Sequence, residues 1–271
     1  MPIMQSIAKR FIKYKPLKGI KIGVALHLEK KTGVLLRTLQ KGGAEVSASS
    51  CNPLTTDNDI SAALSEEMDI HAWANQTNEE YYECLNNVMM SQPRVLIDDG
   101  CDLIFLAHKK YPEYVKNIIG ACEETTTGIV RLRAMHKDKA LNFPVMAVNN
   151  AYSKYLFDNR YGTGQSVIEG ILSATNTLIA GKNVIVVGYG WCGRGIANRL
   201  KGLGAKVFVV EATSSSADGS SGYHRALEAH YDGCWVGNLD EIVHLGDIFL
   251  SLIHISEPTR RTPISYAVFC L

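Results

Sequence analysis

The sequence Val184-Ile185-Val186-Val187-Gly188-Tyr189-Gly190-Trp191-Cys192-Gly193 decides the fold of the second half of this chain. Its first four residues form an apolar run that is typical of a buried strand. The three glycines then allow a tight turn and a close approach of the backbone to a phosphate at the N-terminus of the next helix. The pattern therefore predicts a strand-turn-helix unit of the Rossmann type, which binds a dinucleotide.

An acidic residue follows these glycines at the spacing that such units use to recognise ribose. The apolar run Ala205–Val210 is predicted to be the next strand, and Glu211 stands at its end, 18 residues after Gly193. A carboxylate there accepts hydrogen bonds from both ribose hydroxyls of NAD and repels the 2′-phosphate of NADP. The sequence therefore predicts NAD as the cofactor, and a turn that merely packs a helix on a sheet is the alternative.

Strand-like apolar runs alternate with helical patterns along the whole chain, which predicts parallel sheets with helices on both faces. The predicted strands are Ile20–Leu26, Glu45–Ser49, Arg94–Ile97, Pro144–Val148, Asn183–Val187, Ala205–Val210 and Asp247–Ile253. The predicted helices are Thr32–Gln40, Asp57–Glu66, Asn78–Ser91, Thr125–Lys137 and Gly164–Ala180. The fold class is therefore α/β, with two doubly wound parallel-sheet domains.

The composition is that of an ordinary globular protein. The 271 residues carry a formal net charge of +1, and 46% of them are hydrophobic, which does not favour binding to nucleic acid or to a membrane. The opening residues Met1–Gly19 lack the features of a signal peptide. The seven cysteines include no Cys-x-x-Cys pair, so the sequence indicates neither a disulfide framework nor a zinc site. We therefore expect a cytoplasmic protein.

Several motifs occur in the order seen in the S-adenosylhomocysteine hydrolase family, which this chain resembles from about Lys21 to about Phe249. They are Asp98-Asp99-Gly100-Cys101-Asp102, Glu123-Glu124-Thr125-Thr126-Thr127-Gly128, Val148-Asn149-Asn150-Ala151, Lys154-Tyr155-Leu156-Phe157-Asp158-Asn159-Arg160-Tyr161-Gly162 and Gly188-Tyr189-Gly190. The resemblance implies reversible cleavage of S-adenosylhomocysteine into adenosine and homocysteine, by transient NAD-dependent oxidation of the 3′-hydroxyl. It also implies a homotetramer.

Lys154 is the candidate base for that oxidation, because a sugar carbon loses a hydride only if its hydroxyl loses a proton. If Tyr152–Asn159 is helical, Lys154 and Asp158 share a face at i, i+4. A surface ion pair is the alternative interpretation of these residues taken alone. The resemblance implies that Lys154 takes the 3′-hydroxyl proton, that Asp158 binds the ribose, and that Asn159 positions the lysine.

Glu124 is a candidate for gripping two vicinal ribose hydroxyls, and the hydroxyls of Thr125, Thr126 and Thr127 could face the nicotinamide end of the cofactor. The alternative is an acid at a helix N-terminus, since Glu123 and Glu124 precede a helical stretch. The resemblance implies that Glu124 binds substrate and that the three threonines contact NAD.

Asp99 follows the strand Arg94–Ile97, at the edge where ligands of parallel sheets collect. Asp98 and Asp102 crowd it, so one of these carboxyls is expected to keep its proton at neutral pH. An acidic turn, or a cation site of Asp-x-Asp type, is the alternative. His27 ends another strand, where a purely structural histidine is the alternative. The resemblance implies that Asp99 and His27 transfer protons at the 5′ carbon.

Adenine recognition is where the chain departs from the common pattern of the family. After His27 it has Leu28-Glu29-Lys30-Lys31-Thr32, where many relatives have a Thr and a Glu that contact adenine. Thr55-Thr56-Asp57-Asn58 replaces the commoner Ser-Thr-Gln-Asp. Arg225 could pair with an NADP 2′-phosphate, but it lies beyond the Ser/Gly-rich insert Thr213–Gly222, which is predicted to be a mobile loop.

We predict a substrate-binding domain over 1–164, a partial NAD-binding domain over 165–250 and an aberrant tail over 251–271. Pro258 and Pro263 in that tail should prevent a helix or a central strand. The family has more than a hundred further residues here, so we expect this chain itself to be inactive. A non-catalytic nucleotide-binding or regulatory homologue is the alternative, and a 2-hydroxy-acid dehydrogenase is a weaker one.

Overall fold

The computed structural model describes residues 1–212 and 221–252 and the backbone of residues 267–270. The chain divides into two compact units, Met1–Asn149 and Asn150–Leu271. Each unit has its own β-sheet, in which every paired strand runs parallel to its neighbours. The sequence predicted the boundary near Gly164, whereas this division places residues 150–164 with the second unit.

The first unit is a six-stranded sheet in the order β3-β2-β1-β4-β5-β6. Its strands are β1 (Lys21–Leu26), β2 (Glu45–Ser50), β3 (Asp69–His71), β4 (Val95–Asp98), β5 (Gly120–Glu123) and β6 (Val145–Ala147). Its helices are α1 (Pro2–Tyr14), α2 (Lys30–Lys41), α3 (Asn58–Ser65), α4 (Asn78–Met90), α5 (Asp102–Lys110), α6 (Pro112–Val115) and α7 (Thr126–Lys137). The strand order reverses between β1 and β4, and ligands of such sheets bind beside the carboxyl ends at this switch point.

Local sequence explains where several of these helices begin. Thr77 and Glu80 form a reciprocal capping box at the start of α4. The Glu29 carboxylate accepts from the backbone N–H groups of Lys31 and Thr32 and so caps α2. The predicted strands and helices of this unit are confirmed to within about two residues. The helices α1, α5 and α6 and the strands β3 and β5 were not among the predicted elements.

The second unit is built on a five-stranded sheet in the order β11-β10-β7-β8-β9. Its strands are β7 (Asn183–Val187), β8 (Lys206–Val210), β9 (Trp235–Val236), β10 (Ile248–Ser251) and β11 (Ala267–Cys270). Its helices are α8 (Tyr152–Lys154), a π-helix over Tyr155–Gly162, α9 (Thr163–Thr175), α10 (Trp191–Gly202), α11 (Gly222–Tyr231) and α12 (Leu239–Ile242). The glycine-rich sequence lies between β7 and α10, as predicted.

Two predictions about this unit were wrong. The helix predicted over Gly164–Ala180 ends at Thr175, because Asn176 adopts a left-handed conformation with φ of 50° and stops it. No strand was predicted after position 253, whereas the apolar segment 267–270 forms β11 beside β10. Pro258 and Pro263 lie outside the described residues, as does most of the predicted mobile insert. Within the described residues, no helix is both long and apolar enough to cross a membrane.

Candidate active site

Four neighbouring strands of the first sheet each end next to a chemically active side chain. Cys51, His27, Asp99 and Glu124 are the first residues after β2, β1, β4 and β5. The strand registers pair Leu26 with Ser50, Ala25 with Asp98, and Asp98 with Glu123. The four positions therefore lie along the carboxyl edge, with His27 and Cys51 one residue farther out than Asp99 and Glu124. The fold therefore brings together His27, Asp99 and Glu124, which sequence had selected one at a time, and adds Cys51.

His27 is held between a hydroxyl and a carboxylate. Its Nδ1 lies 2.6 Å from Oγ1 of Thr55, and its Nε2 lies 3.4 Å from Oδ2 of Asp99. The Cys51 Sγ lies 3.8 Å from the same Asp99 oxygen. The Asp99 side chain is 11% exposed and that of His27 is 44% exposed, so the pair is sheltered but open to solvent on the histidine side. A histidine beside a carboxylate can pass a proton to and from a reacting group.

The three aspartates that the sequence grouped together have separate tasks. Asp98 is fully buried, and its carboxylate accepts from the backbone N–H groups of Asp99 and Ile104. Asp102 pairs with Arg131 at 2.7 Å and accepts from the Tyr81 hydroxyl. Burial raises the pKa of Asp98 well above its usual value. The carboxyl expected to keep its proton is therefore Asp98.

Two adjacent glutamates at the end of β5 also divide their roles. Glu123 is fully buried, and its Oε1 accepts from the backbone N–H groups of Gly100 and Thr125. Glu124 is partly exposed, and its backbone N–H donates to the Asp98 carbonyl. Within the described residues no side-chain hydrogen bond caps α7, so the helix-capping alternative is not seen for either glutamate. Glu123 instead fixes the loops that carry Asp99 and Glu124.

Of the three threonines, Thr125 precedes the first residue of α7, and Thr126 and Thr127 are exposed on its first turn. The Thr126 hydroxyl accepts from the Asn149 side chain at 3.0 Å. Their contact with a nicotinamide remains a prediction.

We expect Glu123 to make the first unit less stable as pH rises. Burial raises the pKa of Glu123 from 4.5 to about 7. Because the folded state holds this proton more tightly, the stabilisation is present in full below pH 4.5 and is lost as pH rises through about 7. The free energy of unfolding should fall by up to about 3 kcal/mol over this window. Glu123→Gln, which has no proton to lose, should reduce this fall.

Hydrogen exchange of the β4 and β5 amides, followed from pH 5 to pH 8, measures that stability locally. Glu45→Gln, which changes an exposed acid on β2, is the control and should leave the pH dependence unchanged. If stability fell equally with pH in the parent and in Glu123→Gln, Glu123 would not be the group whose proton stabilises the first unit.

The predicted base lies at the start of the second unit. The Lys154 Nζ donates to Oδ1 of Asn159 at 2.7 Å and lies 3.3 Å from Oδ2 of Asp158. The lysine side chain is 16% exposed and that of Asp158 is 58% exposed, so the lysine is enclosed while its acidic partner faces solvent. The segment is a short α-helix followed by a π-helix, whose last turn bonds the Thr163 N–H to the Asp158 carbonyl. Such π-turns occur often at functional sites.

This lysine cluster packs beside the glycine-rich turn. The Tyr155 ring lies 4.9 Å from the Trp191 ring at the first residue of α10. A Cβ on Gly195 would overlap the Arg160 carbonyl, so only glycine lets α10 lie this close to the π-helix. Gly164 in turn meets the Gly195 backbone. The two glycines therefore hold Lys154 near the turn.

The glycine-rich turn has the geometry that a pyrophosphate needs. Gly188 adopts φ of 102°, which side chains rarely do, and a Cβ on Gly193 would overlap the Gly188 carbonyl. Gly190 is the N-cap of α10, and a Cβ built on it meets nothing within 4 Å. The backbone is therefore open at the N-terminus of a helix, where phosphates bind. These residues fit a dinucleotide.

Glu211 stands at the end of β8, as predicted, but it is more enclosed than expected. Its carboxylate accepts a short hydrogen bond from the Tyr189 backbone N–H. The Arg225 guanidinium lies 4.0 Å away, although this arginine follows the insert that was predicted to be mobile. Arg225 reaches Glu211 because the start of α11 packs against the end of β8. The packing is so close that a Cβ on Gly222 would overlap the Ala212 carbonyl.

Sequence reasoning missed Cys51, Glu123 and Gly195 as contributors to these sites. Cys51 could have been found by the rule that selected His27 and Asp99, since it also follows a predicted strand. Nothing in the local sequence distinguishes Glu123 from Glu124, or Gly195 from any other helical glycine. Their roles depend on which neighbour each residue meets.

Comparison with known proteins agrees with this geometry. Residues 1–110 match the model of S-adenosyl-L-homocysteine hydrolase, and residues 159–257 match the model of the NAD-binding domain of S-adenosyl-L-homocysteine hydrolase. Among solved structures, a dipicolinate synthase chain from Bacillus halodurans has a TM-score of 0.52 at 15% identity. That alignment covers 88% of this chain and 75% of the other, and it indicates a similar fold alone.

Two curated relatives are much more similar in sequence. S-inosyl-L-homocysteine hydrolase from Methanocaldococcus jannaschii is 54% identical, over 97% of this chain and 62% of that protein. Adenosylhomocysteinase from Pyrococcus abyssi is 52% identical, over 96% of this chain and 60% of that protein. The chain thus spans less than two thirds of these relatives. With both family models matched, a glycine-rich turn that fits NAD and the lysine cluster beside it, the chain belongs to the S-adenosylhomocysteine hydrolase family.

Proposed function

We propose that a form of this protein as long as its relatives hydrolyses an S-nucleosyl-L-homocysteine to the nucleoside and L-homocysteine, through transient oxidation at the 3′ carbon, and that the 271-residue chain alone does not. The observation that carries this proposal is the enclosed Lys154 amine, held by Asn159 and Asp158 beside a turn that fits NAD. When bound, NAD would supply the temporary oxidation at C3′, which makes the neighbouring C4′–H acidic and permits β-elimination.

The protein's own groups would bind the sugar and move its protons. Lys154 accepts the 3′-hydroxyl proton, while Asp158 accepts a hydrogen bond from the ribose. Glu124 accepts hydrogen bonds from ribose hydroxyls. His27 and Asp99 act at C5′, where they protonate the leaving sulfur and later take a proton from the attacking water. The pairing of His27 with Asp99 supports this last role.

The nucleoside base is either adenine or hypoxanthine. A glutamate accepts from the amine of adenine, whereas a lysine donates to the C6 carbonyl of hypoxanthine. Lys30 and Lys31 are exposed, and the Glu29 carboxylate is committed to capping α2. This arrangement favours hypoxanthine, and relatives of both kinds occur at similar identity. S-inosylhomocysteine is therefore a second candidate substrate beside S-adenosylhomocysteine.

The test is homocysteine release from each substrate. Because the chain spans 60% of the Pyrococcus abyssi relative, the assay uses a form extended after Ser251 with the carboxyl-terminal part of that protein. Release from either substrate supports the proposal, and the ratio of the two kcat/KM values identifies the base. NAD binding without release from either would indicate a non-catalytic homologue. The homotetramer and the cytoplasmic location stay predictions.

Glu211 should control the choice between NAD and NADP. Glu211→Ala removes an acceptor for the ribose hydroxyls and leaves Arg225 able to approach a 2′-phosphate. We expect NAD affinity to fall by about 10- to 100-fold, the equivalent of about 1.5–3 kcal/mol, and NADP affinity to rise. Titration of the protein with each cofactor measures both changes.

Arg225 supplies the control for this prediction. The double variant Glu211→Ala, Arg225→Ala should lose the gain in NADP affinity, since no cation remains to meet the phosphate. Tighter binding of NADP than of NAD to the unmodified protein would show that Glu211 does not contact the ribose.

A further inference from the structure

We propose that His27, Cys51 and Asp99 bind a zinc-like divalent cation, and that the bound cation blocks proton transfer at C5′. The inhibitory part of this inference rests on the function proposed above, because His27 and Asp99 are the groups assigned to that step. The binding part rests on the geometry of the three side chains alone.

The donor atoms are already spaced for one ion. His27 Nε2 and Asp99 Oδ2 are 3.4 Å apart, and Cys51 Sγ and Asp99 Oδ2 are 3.8 Å apart. All three donor atoms lie within 4.8 Å of one another. Zinc bonds of about 2.0–2.3 Å at tetrahedral angles place two ligands roughly 3.3–3.8 Å apart. Small side-chain rotations therefore suffice to close the site.

The chemistry of the donor set selects the cation. A thiolate, an imidazole and a carboxylate suit Zn²⁺ and its spectroscopic substitute Co²⁺, whereas Mg²⁺ and Ca²⁺ prefer oxygen ligands alone. On binding, the Cys51 S–H bond breaks and its proton goes to solvent, so the sulfur coordinates as a thiolate. Three protein ligands leave a fourth position for water.

The surroundings of the three donors are suited to holding a metal. Thr55 Oγ1 lies 2.6 Å from Nδ1 of His27, which turns Nε2 toward Asp99. A hydrogen bond to the second ring nitrogen orients most histidines that bind metals. Each donor directly follows a strand of one sheet, so the backbone positions are fixed. Burial raises the pKa of the Cys51 thiol, and the nearby carboxyl groups of Asp99, Asp98 and Glu124 raise it further, so the site is surrounded by acidic groups that would favour a bound cation.

Titration of the purified 271-residue protein with Co²⁺ tests the binding part. We expect one equivalent to bind and to produce a thiolate-to-cobalt charge-transfer absorption. Cys51→Ser should abolish that absorption, and His27→Ala and Asp99→Asn should weaken binding by at least tenfold. Cys122→Ser, which removes another partly buried thiol from the same sheet, is the matched control and should change nothing. Thr55→Val removes the hydrogen-bond partner of His27 Nδ1. It should weaken Co²⁺ binding by about 10- to 100-fold, as the loss of a group that orients a metal ligand does.

The absence of a charge-transfer absorption, or its survival in Cys51→Ser, would overturn the proposal. This result is independent of catalysis, so it stands apart from success or failure of the hydrolase assay. In the extended form, Zn²⁺ should stop homocysteine release but leave 3′-oxidation of the free nucleoside intact, because that step uses Lys154. Equal loss of both activities would contradict the assignment of the site to C5′ chemistry.

Discussion

Replacing Lys154 with alanine should slow 3′-oxidation of a bound nucleoside by about 10²–10⁴-fold, the range that one general base contributes. The Nζ atom is the group proposed to take the proton, and it contacts the side chains of Asn159 and Asp158. Affinity for the nucleoside should stay within about tenfold, or ~1.4 kcal/mol, because other groups hold the ribose. The appearance of bound NADH after mixing the extended form with adenosine or inosine measures the rate.

Lys182→Ala is the matched control, since it removes a half-exposed lysine that pairs with Asp247 in the same unit. It should leave the oxidation rate unchanged. Asn159→Ala, which keeps the amine but removes the oxygen that holds it, should slow oxidation less than the loss of the lysine. An unchanged rate in Lys154→Ala would exclude the lysine as the base.

Gly195→Ala should destabilise the second unit by at least about 3 kcal/mol, at the upper end of what overpacking causes. The added Cβ would overlap the Arg160 carbonyl, which is backbone and cannot rotate away. α10 would have to move from the π-helix, and the Lys154 cluster would shift relative to the glycine-rich turn. We therefore expect weaker NAD binding together with faster hydrogen exchange in β7 and α10.

Gly170→Ala is the control for this prediction. Gly170 lies on the exposed side of α9, and a Cβ there meets nothing within 4 Å. Alanine favours the helical conformation more than glycine does, so this variant should be about 0.5–1 kcal/mol more stable than the parent. If Gly195→Ala were as stable as the parent, α10 and the π-helix would not lie in the close contact described above.

The glutamate pair shows how far local sequence can lead. The sequence left two alternatives for the acids that precede α7, an acid at the helix N-terminus and an acid that faces a ligand. It could not assign the two tasks, because both glutamates precede the same helix. The structure separates the two residues by burial, since Glu123 accepts from the backbone N–H groups of Gly100 and Thr125 and Glu124 is partly exposed, while the contact of Glu124 with a ligand stays a prediction.

The sequence by itself determined the α/β class, most of the strands and several of the helices, the glycine-rich turn, the acid after β8 and the family. These features depend on residues close together in the chain, where periodicity and backbone conformational limits act directly. The same local information placed Lys154, Asp158 and Asn159 on one short helical segment, and their contact is confirmed.

Only the tertiary structure decided which of these residues meet. A sequence pattern predicts where each strand ends, but it does not predict which strands lie side by side. The order β2-β1-β4-β5 is what brings Cys51, His27, Asp99 and Glu124 to one edge. Arg225 reaches Glu211, and Gly195 accommodates Arg160, through packing between segments far apart in the chain. The physical reason is that burial and close approach depend on the spatial arrangement of strands and helices, which local preferences of the backbone do not specify.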